Sequence, residues 1–226
     1  MHPDKEQSLS RFTGKKVLVT AGPTYEKIDP VRFIGNFSTG KMGYAISSLL
    51  CKNHADVLLI SGPTSLPPVL SVQNFVQVQS ANEMYKACLK YFSQYEIIIL
   101  AAAVADYRPV NVHDRKIKSK ADKMVLELEK TVDIAQSLGA IKKPGQMLVG
   151  FALETDNEIE NARIKLQKKN LDFIVLNSLR DEGAGFGFDT NKITVIGADN
   201  KIHKFGLKLK EEVAFDILSV ISEKLQ

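Results

Sequence analysis

Tryptophan is absent from the chain, cysteine occurs twice and histidine four times in 226 residues. Two cysteines cannot build a disulfide framework or a thiolate metal site. Cys51 and Cys88 therefore read as ordinary, partly buried side chains of a reducing compartment. His54, His113 and His203 show no ligand spacing and read as surface residues. No apolar run reaches the roughly 18 residues that a membrane span needs. Residues 1–14 are polar rather than signal-like, so the expected location is the cytoplasm. A strong charge excess is missing as well: 30 Lys and Arg against 26 Asp and Glu leave +4. The basic residues are densest at 115–123 and 163–169. They do not mark one nucleic-acid-binding element and would suit the phosphates of a small molecule.

Two familiar phosphate motifs are also missing. Residues 35–41 read G-x-x-x-x-G-K, but Met42 stands where a P-loop needs Ser or Thr, and the strand lies well upstream. The dinucleotide pattern G-x-G-x-x-G does not follow Val19, because Gly22 is succeeded by Pro23 and Thr24. Neither an ATPase nor a dehydrogenase follows from these partial matches.

What is present centres on residues 17–43. An apolar strand at 17–20 breaks at Gly22-Pro23, a long polar loop stays irregular through Arg32, Asn36 and Gly40, and a helix opens at Lys41. Glycines at 22, 35 and 40 let backbone approach a ligand. The helix start offers free N–H groups to an anion, while Arg32 and Lys41 add fixed charge. Asn36 can donate and accept without adding any.

Beyond it, buried strands are expected at 56–61, 95–103, 146–151 and 172–176, with a short strand at 74–78. Helices are expected after Ser80 and after Thr155, each opened by a capping box with Glu83 and Glu158, and at 132–138. Residues 183–187 form a glycine-rich loop, 192–205 a hairpin and 210–225 a closing helix. Alternating βα units of this kind make an α/β fold: a doubly wound, mostly parallel sheet with helices on both faces. Residues 108–130 depart from the pattern and read as a protruding β-ribbon or flap. Residues 1–14 read as a disordered leader, and 15–226 as one domain.

Six motifs now stand in order: TAGPT at 20–24, DPVR at 29–32, Asn36 with STGKMG at 38–43, AAAVAD at 101–106, KIK at 116–118 and GFALE at 150–154. Together they closely resemble the phosphopantothenoylcysteine synthetase domain of the bacterial bifunctional coenzyme A biosynthesis protein. The resemblance implies a Rossmann-like, CTP-dependent ligase that forms a C–N bond. In that family 4′-phosphopantothenate and CTP give an acyl-cytidylate and pyrophosphate. Cysteine then yields 4′-phosphopantothenoylcysteine and CMP. The resemblance further implies Mg2+ with the triphosphate, a homodimer with part of each site supplied across the interface, and fusion in relatives to a flavin-dependent decarboxylase. No nucleic acid or membrane partner is implied.

By the family pattern Gly22, Asp106, Lys116, Val132, Asp133, Ile134, Ala135, Phe151, Lys165 and Lys169 face the nucleotide. Asn36, Gly40 and Lys41 face the acid substrate or its intermediate, and Asn36, Arg32 and Lys116 carry the chemistry. Plain alternatives stand beside these roles. Arg32 could pair with Asp29, Lys165 and Lys169 could be a solvated helix face, and Phe151 could be core. The alternative functions are an NAD(P)-dependent Rossmann oxidoreductase and a non-catalytic nucleotide-binding module.

Overall fold

A computed structural model of the chain describes residues 9–69, 71–118, 123–178, 185 and 187–225. Strands β1 (Lys16–Ala21), β2 (Tyr25–Lys27) and β3 (Phe33–Gly35) precede helix α1 (Lys41–Lys52). Strands β4 (Asp56–Ser61) and β5 (Asn74–Gln77), helix α2 (Ala81–Phe92) and strand β6 (Ile97–Leu100) follow. Then come β7 (Tyr107–Pro109), β8 (Leu128–Lys130), α3 (Ile134–Ala140), β9 (Met147–Glu154), α4 (Glu158–Lys168) and β10 (Phe173–Ser178). The chain closes with β11 (Thr190–Asn191), β12 (Ile193–Gly197), β13 (Ile202–Lys204), β14 (Lys208–Leu209) and α5 (Lys210–Ser222).

Eight strands form the main sheet in the order β13-β12-β10-β9-β6-β1-β4-β5. The six from β10 to β5 are parallel, and β12 and β13 add an antiparallel edge. The continuous apolar runs behave as expected for strands covered on both sides. Along β1, Val17, Val19 and Ala21 pack with Ile46 and Leu50 of α1 and Val213 and Ile217 of α5. Leu18 points to the other layer, with Met84 of α2, Leu138 of α3 and Ala162 and Leu166 of α4. This is the α/β, Rossmann-like arrangement expected from the sequence. The strand order reverses between β1 and β6, and ligands bind such sheets beyond the strand ends at that point.

Several local expectations need correction. The leader assigned to 1–14 ends sooner: Leu9 and Phe12 are buried, and the Arg11 guanidinium donates to the Ser222 carbonyl at 2.9 Å. The loop after β1 is not wholly irregular, because β2 and β3 pair antiparallel and the Tyr25 and Phe33 rings stack at 3.8 Å. The long strand at 95–103 stops at Leu100, after which Ala103 turns to bridge Pro23. The helix expected from 132 begins at Ile134, since Asp133 caps it through the Gln136 N–H. No capping box forms at Thr155; its hydroxyl bonds Asp156, and α4 starts after Asn157. Only half of the box at Ser80 forms: Ser80 accepts the Glu83 N–H, while the Glu83 carboxylate takes the N–H of Gln79 instead of that of Ser80. The flap has paired β7 and β8 at its base, while 119–122 lie outside the described residues. So do 183, 184 and 186 of the glycine-rich loop.

Candidate functional site

Close packing of backbone on backbone builds the floor of the site. Gly22 has φ +79°, and a Cβ there would stand 3.1 Å from the Gly62 carbonyl oxygen. Gly40, the N-cap of α1 at φ +83°, lies directly over Gly22, whose Cα its own Cβ would meet at 3.3 Å. The first turn of α1 is thereby pressed against the end of β1, with its positive dipole end towards the loop. The Ser38 hydroxyl accepts the Gly40 N–H at 3.3 Å, and Thr64 donates to the Thr39 carbonyl at 2.8 Å.

Asn36 spans the switch point. Its amide donates to the carbonyls of Ala103 at 3.0 Å and Val104 at 3.1 Å, just past β6. Both donors are used there, and among the described residues its Oδ1 has no hydrogen-bond partner. The loop is thus fastened across the end of the sheet, over a cleft of about 850 Å³.

Six lysines and two aspartates line this cleft. From the α3–α4 layer, Lys165 pairs with Glu154 at 2.6 Å and Lys169 with Asp133 at 2.9 Å. Burial raises the Asp133 pKa, but the Gln136 N–H and the Lys169 ammonium outweigh it, and the net shift is downward. From the α1–α5 layer, Lys41 pairs with Asp189 at 2.5 Å. Lys210 donates to the carbonyls of Gly185 and Phe188. Burial first, then repulsion from Lys41, push the Lys210 pKa down against the pull of Asp189.

Of the expected site residues, Asn36, Gly40, Lys41, Asp106, Val132, Asp133, Ile134, Ala135, Phe151, Lys165 and Lys169 all line the cleft. Gly22 lies beneath it, against Gly40. Phe151 borders the cleft and also packs on the core beneath α1 and α5.

Arg32 and Lys116 do not line the cleft of their own chain. The Arg32 guanidinium donates to Asp29 through Nε at 3.0 Å and Nη2 at 2.5 Å, and to the Ile117 carbonyl at 3.3 Å. Asp29 also takes the Ile117 N–H at 3.1 Å. Arg32 and three backbone N–H groups hold this carboxyl well below the usual carboxylate range, burial opposing them. The pair thereby anchors the flap next to Lys116, which is exposed.

Lys130, Lys168, Asn177, Asn191 and Lys210 also line the cleft; none was expected at the site by name, although Lys168 lies in the basic run at 163–169. They belong to no motif, and only the folded sheet brings them to one edge. Among the described residues no three His, Cys, Asp or Glu side chains group as metal ligands. The described residues do not form a dedicated magnesium cage. No helix among the described residues is long and apolar enough to cross a membrane.

Fold and site together define a Rossmann-like α/β domain with a lysine-rich cleft at its switch point. The model of the family described as the DNA/pantothenate metabolism flavoprotein C-terminal domain matches residues 12–225, and the chain belongs to that family. It is 53% identical over 210 residues to a cysteine/cysteine sulfinic acid decarboxylase of an unknown prokaryotic organism, covering 93% of this chain and 58% of that protein. It is 46% identical over 217 residues to the coenzyme A biosynthesis bifunctional protein CoaBC of Bacillus subtilis (strain 168), covering 96% and 53%. A crystal structure of the C-terminal domain of a CoaBC protein superposes with a TM-score of 0.82 at 45% identity, covering 96% of this chain and 98% of that one. The chain spans about half the length of the curated relatives it matches.

Proposed function

We propose that this domain is a phosphopantothenate–cysteine ligase of coenzyme A biosynthesis, driven by CTP. The observation that carries the reading is the cleft itself: six lysines around a switch point over which Asn36 is fixed by two hydrogen bonds. Kinship with the C-terminal half of CoaBC proteins supports it.

The chemistry joins two anions. A carboxylate of 4′-phosphopantothenate attacks the α-phosphate of CTP; an acyl–O–P bond forms and pyrophosphate leaves. The amine of cysteine then attacks the acyl carbon, losing a proton, and CMP leaves with the former carboxylate oxygen. Both steps develop or move negative charge, which ammonium groups and helix N-termini already in place stabilise without reorganising. Lys165 and Lys169, beside the cap of α3, would neutralise the triphosphate, with Asp106, Phe151 and 132–135 around the nucleoside. Magnesium bound with CTP would lean on the nucleotide's own oxygens.

Asn36 would orient the acyl group for the amine, since a carboxamide adds no charge to a crowded anionic site. Arg32 and Lys116, outside their own cleft, would serve the site of a second copy in a homodimer. The reaction would run in the cytoplasm.

Pyrophosphate release tests this. It is expected only when phosphopantothenate and CTP are both present, and cysteine should then convert the intermediate to product. A folded sample that releases none ends the proposal. The name of the 53%-identical relative favours one other reading, loss of CO2 from cysteine or its sulfinate. CO2 release from either amino acid without nucleotide would support that reading instead.

A further inference from the structure

A second, smaller cavity of about 320 Å³ lies on the far side of the flap base, between β2, the start of α2 and the β7–β8 ribbon. Side chains alternate along that ribbon: Tyr107 and Lys130 line the cleft, whereas Arg108 and Glu129 line this cavity. The two spaces share no lining residue. Hydrogen bonds fix the cavity walls. The Tyr25 N–H donates to the Gln79 carbonyl at 2.8 Å, and the Val110 N–H to the Glu127 carbonyl at 3.0 Å. Glu26 lines the cavity with only 4% of its surface exposed. Its Oε1 accepts the Ala81 N–H at 2.7 Å, so the N-terminus of α2 is already answered. Its Oε2 has no hydrogen-bond partner and no ion pair among the described residues, and opens into the cavity instead. A carboxylate so deeply buried and only half satisfied is costly unless a cation joins it.

We propose that this cavity binds an aliphatic primary amine, with the ammonium on Glu26 Oε2 and the carbon chain against Val110 and Val112. The assignment does not depend on the ligase reading. Charge selects the occupant first. Glu26, Glu83 and Glu129 line the cavity, and so do Lys27 and Arg108. Arg108 is paired with Glu129, at 2.9 Å through Nε and 2.7 Å through Nη2. That leaves two carboxylates against Lys27, which is exposed and forms no ion pair among the described residues. A cation is therefore the favourable occupant and an anion is not. Shape selects next. One free oxygen suits a compact ammonium, whereas the guanidinium fork needs two parallel acceptors. A divalent metal needs several oxygen ligands, and among the described residues no three His, Cys, Asp or Glu side chains group to hold one. Val110 and Val112, 42% and 56% exposed, offer apolar surface on which methylenes are favourably buried.

Calorimetric titration of the full chain at neutral pH, without nucleotide, tests the assignment with n-butylamine, n-butylguanidine, n-butanol and butyrate. Butylammonium should bind saturably and more tightly than butylguanidinium, while butanol and butyrate should not bind. Glu26→Gln should weaken butylammonium about tenfold or more, as loss of a charge-assisted hydrogen bond does. A thermal melt checks that this variant folds. Val110→Lys leaves Glu26 and its bond to Ala81 in place, sets a resident ammonium in the cavity and should abolish the binding. No saturable binding of butylammonium to the wild type overturns the proposal, and so does equal binding of butanol or of butylguanidinium. Unchanged binding in a folded Glu26→Gln protein or in Val110→Lys overturns it too. Should Glu26→Gln fail to fold, Val110→Lys decides alone. None of these failures touches pyrophosphate release, on which the ligase reading is judged.

Discussion

Lys169 Nζ lies 2.9 Å from Asp133 Oδ2, tying the residue that closes α4 to the residue that caps α3. The other Asp133 oxygen takes the Gln136 N–H at 2.9 Å. The carboxylate thus serves two masters, and the two can be separated by mutation. Asp133→Ala removes the cap and should cost about 1 kcal/mol of stability, read by urea unfolding. Lys169→Met keeps the cap. It should instead raise KM for CTP about tenfold or more, the worth of one charge-assisted contact. An unaltered KM for CTP would remove Lys169 from the nucleotide site.

The floor of the cleft tolerates no extra atom at Gly62. A Cβ there would lie 1.7 Å from the Pro23 carbonyl oxygen and 2.9 Å from its carbon, both backbone atoms that cannot swing away. The Gly62 N–H is also bonded to the Ala21 carbonyl at 2.9 Å, holding the ends of β1 and β4 together. Gly62→Ala should cost at least about 2–3 kcal/mol by overpacking. Gly206→Ala, with nothing within 4 Å of the added carbon, should stay within about 0.5 kcal/mol. Chemical denaturation of the pair checks both values. A stable Gly62→Ala protein would mean that the turn can open.

Much of this architecture is legible in the chain because parallel strands buried on both faces are uninterrupted apolar runs, as at 97–100 and 173–176. Helix starts were legible where a side chain caps locally, as at Ser80, and misjudged at Thr155, where backbone geometry around Asn157 decides instead. The short β2–β3 ribbon escaped notice because stacking of Tyr25 on Phe33, not alternation, marks it. Lys41 stood out within a glycine-rich loop. Lys210 did not, for it opens an ordinary amphipathic helix. Its setting depends on Asp189, which is 148 residues from Lys41 in the chain. Contacts of that span leave no local pattern.

Asp29 gives a pH signature with a definite sign. Its folded-state pKa lies below the ordinary 3.8, chiefly through Arg32. The ionised carboxylate therefore stabilises the fold at every pH above 3.8, and that contribution is lost only as the pH falls from there towards the folded value. Asp29→Asn should melt below the wild type by a gap that is constant between about pH 5 and pH 8 and that closes in stronger acid. Thermal melts across that range read it directly. A gap that widens under acid would show that Asp29 is not held ionised by Arg32.

Asn36→Asp addresses the chemistry itself. Asn36 now gives both amide protons to the Ala103 and Val104 carbonyls, at 3.0 and 3.1 Å. An aspartate has no proton to give and would set a carboxylate against two carbonyl oxygens. In the proposed reaction it would also add negative charge where the amine approaches the acyl phosphate. First-step catalysis depends more on the lysines and should survive in part. The second step, which needs the acyl group oriented, should fall by about 10²-fold or more, as when a fixed transition-state donor is lost. Rapid quenching with labelled CTP should then reveal acyl-cytidylate accumulating towards the concentration of sites, with little amide formed. Normal turnover in this variant, or loss of pyrophosphate release equal to the loss of product, would remove Asn36 from the amide-forming step.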